Sequence, residues 1–414
     1  MNTGVSMKLF LSVCLILAVT TPVYADLGWN HATATMSHSR SQFGAAAAGT
    51  KAIFVGGTID PVGARTADIF DSTTGTWSTQ TFAEPVIGGV GMGWGTKALF
   101  PSYNGKVHIY DSAADSWSMD QLPSGQGRVA MAVAATNGKI FFAGGYENSR
   151  DYDYVDVYDV ESGKWTLDQL SLSRFGAAGA AAGNRFVAAG GSFWSNGFLT
   201  NRVDIYDTES NTWSISGLST TATLTAATGV GDKAYIAGGY DYDVFRDDVD
   251  IYDAATGIWS HSNLSEGRQQ IGATSIGKYA LFAGGWRTPF GEPVEVVDTI
   301  DVLDTQTQLW SLEQLSVPRY DLESVTVGNY VLFAGGSLDG VSDGSNLVDI
   351  FYVPEPSSAL LGMIVVAGAI SIGYVRRGAL EPRAFRHAGT PAEKHPEAPS
   401  ASRSVSIRSR TARA

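Results

Sequence analysis

The 414-residue chain has a single cysteine, Cys14, which lies within an apolar run near the N-terminus. The rest of the sequence can therefore form no disulfide bond and offers no thiol for catalysis or metal binding. Only six histidines occur, and they form no cluster with metal-ligand spacing. We therefore expect no metal centre and no cofactor, and we expect stability to come from packing.

Basic charge is scarce except at the C-terminal end. The chain has 28 Lys and Arg against 41 Asp and Glu, but the segment from Arg376 to Ala414 alone has nine basic and three acidic residues. The body of the chain therefore carries a net charge of about −20. A body of that sign repels polyanions, so we expect no DNA or RNA partner.

Glycine and tryptophan are plentiful, with 48 and 10 residues, while charged residues make up only 17% of the chain. Hydrophobic residues make up 44%, which is ample for a core. This composition suits many short strands joined by tight turns better than helices with solvated faces. We predict an all-β fold.

A pattern typified by VDIYDTESNTW, from Val203 to Trp213, recurs along the chain, and Asp204 precedes Trp213 by nine positions. A constant interval with variable residues between its ends indicates two strands joined by a tight turn in one register. The turn needs a residue that tolerates positive φ. The corresponding positions hold Gly75, Asp115, Gly163, Asn211, Gly257 and Gln308, and all of these residues except the Gln tolerate positive φ.

Residues 27 to 352 contain seven such units with periods of roughly 40 to 50 residues, the range of propeller blades. Each unit opens with a small-residue strand, continues into an aliphatic and aromatic strand that ends in Gly-Gly, and reaches the Asp-to-Trp hairpin after a variable loop. We predict that the small-residue strands line the crowded centre of a ring. The tryptophans then fill the space between outer strands.

The seventh unit lacks its outer strand, because Pro354 follows Tyr352 closely and no Trp stands nine residues after Asp349. The segment from Leu27 to Thr35 precedes the first complete unit and contains Trp29. We predict that this N-terminal strand completes the C-terminal blade, with Trp29 in the place of the missing Trp. Such closure removes an exposed sheet edge.

The small-residue strand, the Gly-Gly pair and the Tyr-Asp hairpin that leads to Trp together resemble the kelch repeat family. The resemblance implies a seven-bladed kelch-type β-propeller over residues 26–352, closed by the N-terminal strand. Two units depart from the pattern. The second has Ser102 and Tyr103 in place of Gly-Gly and Val86 where most units have Arg, and the fifth has Ala222 there.

The N-terminal segment predicts export. Lys8, the apolar run LFLSVCLILAVT and the small-residue site that ends at Ala25 are typical of a secretory signal peptide, residues 1–25.

The segment VPEPSSALLGMIVVAGAISIGYVRR, which follows the ring, resembles the bacterial PEP-CTERM sorting signal. The resemblance implies recognition by an exosortase, a membrane transpeptidase. Residues 353–377 would then contain one transmembrane helix, since the apolar span is just long enough to cross a bilayer, and the arginines would stay in the cytoplasm. The residues of the motif are Pro354, Glu355, Pro356, Arg376 and Arg377.

Together these signals imply an exported protein that is anchored in the inner membrane and then delivered to the cell surface or extracellular matrix. Residues 378–414 form a tail rich in Pro, Ser and Arg, a composition that predicts disorder. The tail is either a cytoplasmic extension or an artefact of gene prediction.

Five arginines stand sixteen positions before the first glycine of a Gly-Gly pair. Near the mouth of the channel, such guanidinium groups can hold an acidic ligand in bidentate fashion. The alternative is that each pairs with an Asp or a carbonyl of the next blade, a role that suits regular recurrence. These residues are Arg40, Arg128, Arg174, Arg268 and Arg319.

The loops after Gly-Gly vary most in length and composition, and loops on a rigid scaffold commonly carry recognition. Their aromatic side chains can stack on sugar rings, or they can pack within the loops. The aromatic candidates are Tyr152, Trp194, Tyr242, Phe245 and Trp286. Aspartates in the same loops, such as Asp151 and Asp243, form a weaker hypothesis for Ca²⁺, because their spacing departs from the EF-hand pattern.

We expect a non-catalytic protein that binds a carbohydrate or a protein ligand at this face of the propeller. One alternative is an extracellular sugar-modifying enzyme of the epimerase or mutarotase type, for which His261 and Glu266 are the first candidates. Another is a purely structural matrix component. The copper-oxidase chemistry of some kelch-like propellers needs a Cys linked to Tyr, and the ring has no Cys.

Overall fold

The computed structural model describes residues 27–57, 60–242, 244–288, 293–338 and 344–354. These residues include seven four-stranded sheets, in which neighbouring strands run antiparallel. The first strand of each sheet lies against the first strand of the next, and the last sheet lies against the first. The sheets are therefore the blades of a closed ring, numbered 1 to 7 by their first strands.

The bounds of the strands repeat from blade to blade. The first strands are Gly44–Ala48, Met92–Trp94, Ala132–Thr136, Ala178–Ala182, Ala226–Val230, Gly272–Ile276 and Glu323–Val327. The second strands are Lys51–Val55, Lys97–Pro101, Lys139–Ala143, Arg185–Ala189, Lys233–Ala237, Tyr279–Ala283 and Tyr330–Ala334. The third strands are Thr66–Asp71, Lys106–Asp111, Tyr154–Asp159, Arg202–Asp207, Asp248–Asp253, Thr299–Asp304 and Ser345–Tyr352.

The outer strands of blades 1 to 6 are Thr76–Thr81, Ser116–Gln121, Lys164–Gln169, Thr212–Gly217, Ile258–Asn263 and Leu309–Gln314. The outer strand of blade 7 is Asn30–Arg40. Short two-stranded hairpins project between second and third strands in blades 3, 5 and 6. They are Tyr146–Glu147 with Arg150–Asp151, Tyr240–Asp241 with Val244–Phe245, and Trp286–Arg287 with Glu295–Val296. A 3₁₀ turn, Gly63–Arg65, lies in blade 1.

The small-residue strands line the centre of the ring, as the sequence predicts, and enclose a channel of about 510 Å³. Their composition follows from crowding, which Gly179 illustrates. A Cβ added to this glycine in blade 4 would lie 2.4 Å from the backbone of Val133 in blade 3. Larger residues in the first strands would force neighbouring blades apart.

The repeated tryptophans lie in the outer strands and join neighbouring blades, as predicted. Trp213 packs against Phe186 and Tyr206 of its own blade. Its indole N–H donates a 2.9 Å hydrogen bond to Asp168 on the outer strand of blade 3. Equivalent hydrogen bonds to the outer strand of the preceding blade join Trp165 to Asp120, Trp259 to Ser216 and Trp310 to Ser262.

The predicted closure of the ring is confirmed, because Asn30–Arg40 pairs antiparallel with Ser345–Tyr352. The predicted place of Trp29 is wrong. His31 lies opposite Phe351, the position that Trp213 takes opposite Tyr206 in blade 4.

The spacing explains why the register differs by two residues. His31 precedes Arg40 by nine positions, as Trp165 precedes Arg174, whereas Trp29 precedes Arg40 by eleven. Trp29 instead packs edge-on against Tyr279 of blade 6 at 5.2 Å between ring centroids.

The two ends of the chain lie outside the described residues. This applies to the predicted signal peptide, to the predicted transmembrane helix and tail, and to every residue of the sorting motif except Pro354, the last residue described. Within the described ranges, no helix is long and apolar enough to cross a membrane.

Candidate functional site

The loops after Gly-Gly and the connections into the first strands share one end of the ring, here called the loop face. Gly144 and Gly145 show why glycine is needed there. Gly144 has a φ of 66°, and a Cβ at this position would lie 2.6 Å from the carbonyl oxygen of Arg174. Gly145 donates its N–H to that same oxygen at 2.8 Å. The Gly-Gly pair of one blade thus lies directly beneath the connection into the next.

The five recurring arginines are buried, with at most 1% of each residue exposed. Each guanidinium pairs with an aspartate in the third strand of the blade whose first strand follows the arginine in the chain. In blade 4, Arg174 lies 2.8 Å from Asp204 and donates to the carbonyl oxygen of Gly190 at 2.9 Å. The ion pairs are Arg40–Asp68, Arg128–Asp156, Arg174–Asp204, Arg268–Asp301 and Arg319–Asp349.

The hypothesis that these arginines hold an acidic ligand at the rim is therefore corrected. Their side chains are enclosed and bonded inside the blades, because a buried guanidinium needs a counter-charge and acceptors for its N–H groups. The same aspartates also hold the connections. For example, Ser171 donates its backbone N–H to Asp204 at 3.0 Å. The network gives the loop face a rigid base.

Blade 5, which has Ala222 in place of Arg, keeps the aspartate but pairs it differently. Asp250 is buried, and its Oδ1 lies 2.7 Å from Nδ1 of His261 on the outer strand. Glu266 lies elsewhere, with its carboxylate 2.9 Å from Arg287. The structure therefore does not bring His261 and Glu266 together at the channel mouth, and the proposed catalytic pair is not retained.

Two of the five predicted aromatic residues differ sharply in exposure. Tyr152 is only 8% exposed, and its hydroxyl bonds to Gln126 at 3.3 Å, so its ring is unavailable to a ligand. Trp194 is 48% exposed and stacks on Tyr146 with 4.9 Å between ring centroids. Of this pair, only Trp194 remains a candidate contact.

The other three aromatic candidates lie along blades 5 and 6. Tyr242 is 49% exposed, and its hydroxyl accepts the backbone N–H of Leu199 at 2.9 Å, which links the loops of blades 4 and 5. Phe245 contacts Trp286 with 5.4 Å between centroids, and Trp286 contacts Tyr320 at 6.4 Å. Phe245, Trp286 and Tyr320 together form an aromatic arc that runs from blade 5 to blade 7.

A cleft of about 380 Å³ lies at the end of this arc, between blades 6 and 7. It is lined by Gln270, Trp286, Val294, Tyr320 and Asp321, and is called the mouth cleft below. The indole N–H of Trp286 donates to Oε1 of Gln270. The side-chain amide of Gln270 in turn donates to Oδ1 of Asp321 at 2.6 Å.

Two nearby carboxyl groups have raised pKa values: Asp321, which lines the mouth cleft, and Glu323, which lines the channel. Burial raises the pKa of Asp321 to about 6, against the opposing effect of the Gln270 hydrogen bond. Burial, together with the nearby charge of Asp321, raises the pKa of Glu323 well above its ordinary value. At neutral pH, therefore, Asp321 is largely ionised, and Glu323 retains its proton to a higher pH than an ordinary glutamate does.

Sequence reasoning missed this carboxyl pair, although one signal was present. Glu323 begins the first strand of blade 7, and the matching strands begin with Gly or Ala in blades 1, 3, 4, 5 and 6. A glutamate at a position where most blades have Gly or Ala is a departure from the repeat pattern. The structure also shows that Gln270 and Asp321 occupy equivalent positions with positive φ, at 53° and 52°.

The loop aspartates bond within the protein. Asp151 accepts the backbone N–H of Trp194 at 2.9 Å, and Asp248 accepts from Arg246 at 2.7 Å. Across the described part of the chain, no group of three or more His, Cys, Asp or Glu side chains is placed to hold a metal ion. Asp243 lies outside the described residues.

The fold and its repeats define a seven-bladed β-propeller, and three of its blades match a known repeat family. Residues 127–167, 173–216 and 222–262, which span blades 3 to 5, match the family described as Kelch motif. No curated protein matches the chain.

Among solved structures, the chain is similar to one entitled "Structure of YjhT". The TM-score is 0.52 and the sequence identity 15%, over 76% of this chain and 96% of that one. At that identity the likeness concerns the fold alone.

Proposed function

We propose that this protein is an exported, non-catalytic binding protein whose loop face recognises a carbohydrate. The observation that carries the proposal is the aromatic arc that ends at the polar mouth cleft. Sugars present apolar C–H faces and hydroxyl edges, so they are bound by aromatic rings next to a few fixed hydrogen-bonding groups. Trp286 with Gln270 and Asp321 supplies that combination.

The size of the cleft favours a carbohydrate over a protein ligand. A volume of about 380 Å³ lies within the range of small-molecule sites, and the cleft is concave. Two exposed aromatic residues on neighbouring loops, Trp194 and Tyr242, extend the same face and offer further contacts for a longer chain.

Binding to a glycan array tests the proposal. Trp194→Ala and Trp286→Ala should weaken binding to the glycans that the wild-type protein captures. Trp94→Ala is the matched control, because Trp94 is 41% exposed but lies at the turn between the first two strands of blade 2, at the opposite end of the ring. Unchanged binding by both loop-face variants would remove the stacking hypothesis.

Export and delivery to the cell surface or matrix form part of the same proposal, supported by the leader at residues 1–25 and the sorting motif at residues 353–377. Mass spectrometry of the secreted protein tests both. The proposal requires an N-terminus after Ala25 and exosortase-dependent processing near the tripeptide Pro354-Glu355-Pro356. A mature protein that retains residues 1–25 would contradict export by this route.

A sugar-modifying enzyme is the second candidate function. It is favoured by one observation, the raised pKa of Asp321 and Glu323 at a channel mouth, because perturbed carboxyl groups are frequent at catalytic sites. Turnover of free sugars that is lost in Asp321→Asn and Glu323→Gln would support the enzyme. Binding without turnover across a broad panel of sugars would support the non-catalytic proposal.

A further inference from the structure

The indole of Trp286, which lines the mouth cleft, has no described aromatic ring stacked on it. Trp286 is partly buried. The angle between its ring plane and that of Phe245 is 64°, and the angle with the ring plane of Tyr320 is 65°. Both contacts are therefore edge contacts, and no described ring lies parallel to the indole. The two neighbours fix the orientation of Trp286 without stacking on it, which is the arrangement that a stacking ligand requires.

The polar side of the cleft has unused hydrogen-bonding capacity next to that surface. Gln270 uses its oxygen to accept from Trp286 and one N–H to donate to Asp321. A Gln amide has a second N–H, and a carboxylate has a second oxygen. Among the described residues neither has a further partner, so the cleft presents one donor and one acceptor side by side. Two adjacent hydroxyl groups of a sugar ring match that pair.

The charge of the cleft is negative and uncompensated. Asp321, the carboxylate that lines the cleft, makes no ion pair with any described Lys or Arg. The nearby hairpin carries Arg287, but its guanidinium pairs with Glu266 and Glu295, each at 2.9 Å. A ligand carboxylate or sulfate would meet Asp321 without a cation to hold it, and like-charge contact in a partly desolvated site is costly.

We propose that the mouth cleft binds one uncharged pyranose ring, stacked on Trp286 with two adjacent hydroxyls held by Gln270 and Asp321, and that it excludes sugars that carry a carboxylate or sulfate. This inference rests on the proposed function. It adds the position of the subsite, the residues that hold the ring, and the charge class of the ligand.

Isothermal titration with matched neutral and acidic oligosaccharides tests the proposal. Each probe is a gluco-, galacto- or manno-configured oligosaccharide, paired with the analogue in which a terminal hexose is replaced by its uronic acid. The wild-type protein should bind the neutral member of a pair at least about tenfold more tightly than the acidic member, which corresponds to about 1.4 kcal/mol. Tighter binding of the uronate would overturn the charge assignment.

Two substitutions separate the subsite from the rest of the loop face. Trp286→Ala should weaken binding of the neutral probe by about tenfold. Asp321→Asn keeps the shape of the side chain but removes its charge, so it should weaken binding of the neutral probe a few-fold and reduce the discrimination against the uronate. Unfolding midpoints equal to that of the wild type show that these variants remain folded.

The outcomes distinguish this inference from the proposed function. Loss of binding in Trp194→Ala with no effect of Trp286→Ala or Asp321→Asn would overturn the subsite and leave a carbohydrate-binding loop face. Absence of binding to every probe and to the glycan array would overturn both. Weakening by Trp286→Ala with unchanged discrimination in Asp321→Asn would contradict the role of the Asp321 charge.

Discussion

The imidazole of His31 stacks on the ring of Phe351, with 4.2 Å between ring centroids and 10° between ring planes. The two residues lie near opposite ends of the described chain. Nε2 of His31 also lies 2.7 Å from Oδ1 of Asp349, the carboxylate that pairs with Arg319. The closing strand is thus held by the backbone ladder, by an aromatic stack and by a bond to the buried ion pair of blade 7.

Deletion of residues 27–35 should open the ring. It exposes the edge of Ser345–Tyr352, and an unpaired strand edge promotes association. We expect a lower thermal midpoint and oligomers in size-exclusion chromatography. His31→Phe, which can still stack on Phe351, is the control and should keep the elution volume of the wild type. A monomeric deletion variant with the midpoint of the wild type would contradict closure by this strand.

Arg174→Met should destabilise the fold by about 3 to 5 kcal/mol, because it leaves the buried carboxylate of Asp204 without a counter-charge. Chemical denaturation measures the loss. Lys164→Met removes an exposed cation from an outer strand and should change the free energy of unfolding by less than about 0.5 kcal/mol. Equal effects of the two substitutions would show that the buried pair is not structural.

Trp213→Ala should cost about 3 to 5 kcal/mol, since it removes a large side chain packed between blades and the hydrogen bond to Asp168. Trp194→Ala is the comparison, because Trp194 is half exposed on a loop. We expect the second loss to be below about 1 kcal/mol. Differential scanning calorimetry of both variants checks the contrast, and a similar midpoint for both would contradict it.

Glu323→Gln should stabilise the protein at alkaline pH. Burial raises the pKa of Glu323 in the folded state, so the folded protein binds its proton more tightly than the unfolded chain does. That contribution is complete at pH values below the unfolded pKa, near 4. It is lost as the pH rises through the folded pKa, because the charged form is destabilised by burial, at about 1.4 kcal/mol per pKa unit.

Urea unfolding at pH 4.5 and pH 8 measures this dependence. The difference between Glu323→Gln and the wild type should favour the variant more at pH 8 than at pH 4.5. Glu161→Gln, at an exposed turn, should show no such change. A difference for Glu323→Gln that is independent of pH would rule out a buried, proton-retaining carboxyl at this position.

Much of the fold was predictable because the repeat constrains it. The interval from Asp204 to Trp213 places a turn at Asn211, and all six turn positions adopt positive φ, including Gln308, the one residue type among them that does not favour it. The closing strand was predictable because the seventh unit ends early at Tyr352. The register of that strand was not, because Trp29 precedes Arg40 by eleven positions, as Trp117 precedes Arg128, whereas the interval of nine that Trp165 keeps before Arg174 selects His31.

The candidate site was predictable only in part. Trp286 was identified from its loop, but nothing in the sequence shows that its indole bonds to Gln270 or that Gln270 reaches Asp321 in the next blade. Such contacts join residues of different repeats and depend on how the blades close around the channel. The role of the recurring arginines, Arg40 among them, could not be decided from the sequence either. Their recurrence is consistent with a ligand contact and with an internal ion pair, and their burial in the structure distinguishes the two.

A crystal structure of the protein with a bound neutral oligosaccharide tests the central claim most directly. The account predicts a pyranose ring in the mouth cleft, parallel to the indole of Trp286, with hydroxyl groups within hydrogen-bonding distance of Gln270 and Asp321. A sugar bound at the opposite end of the ring or along the outer strands, with the mouth cleft empty, would contradict it.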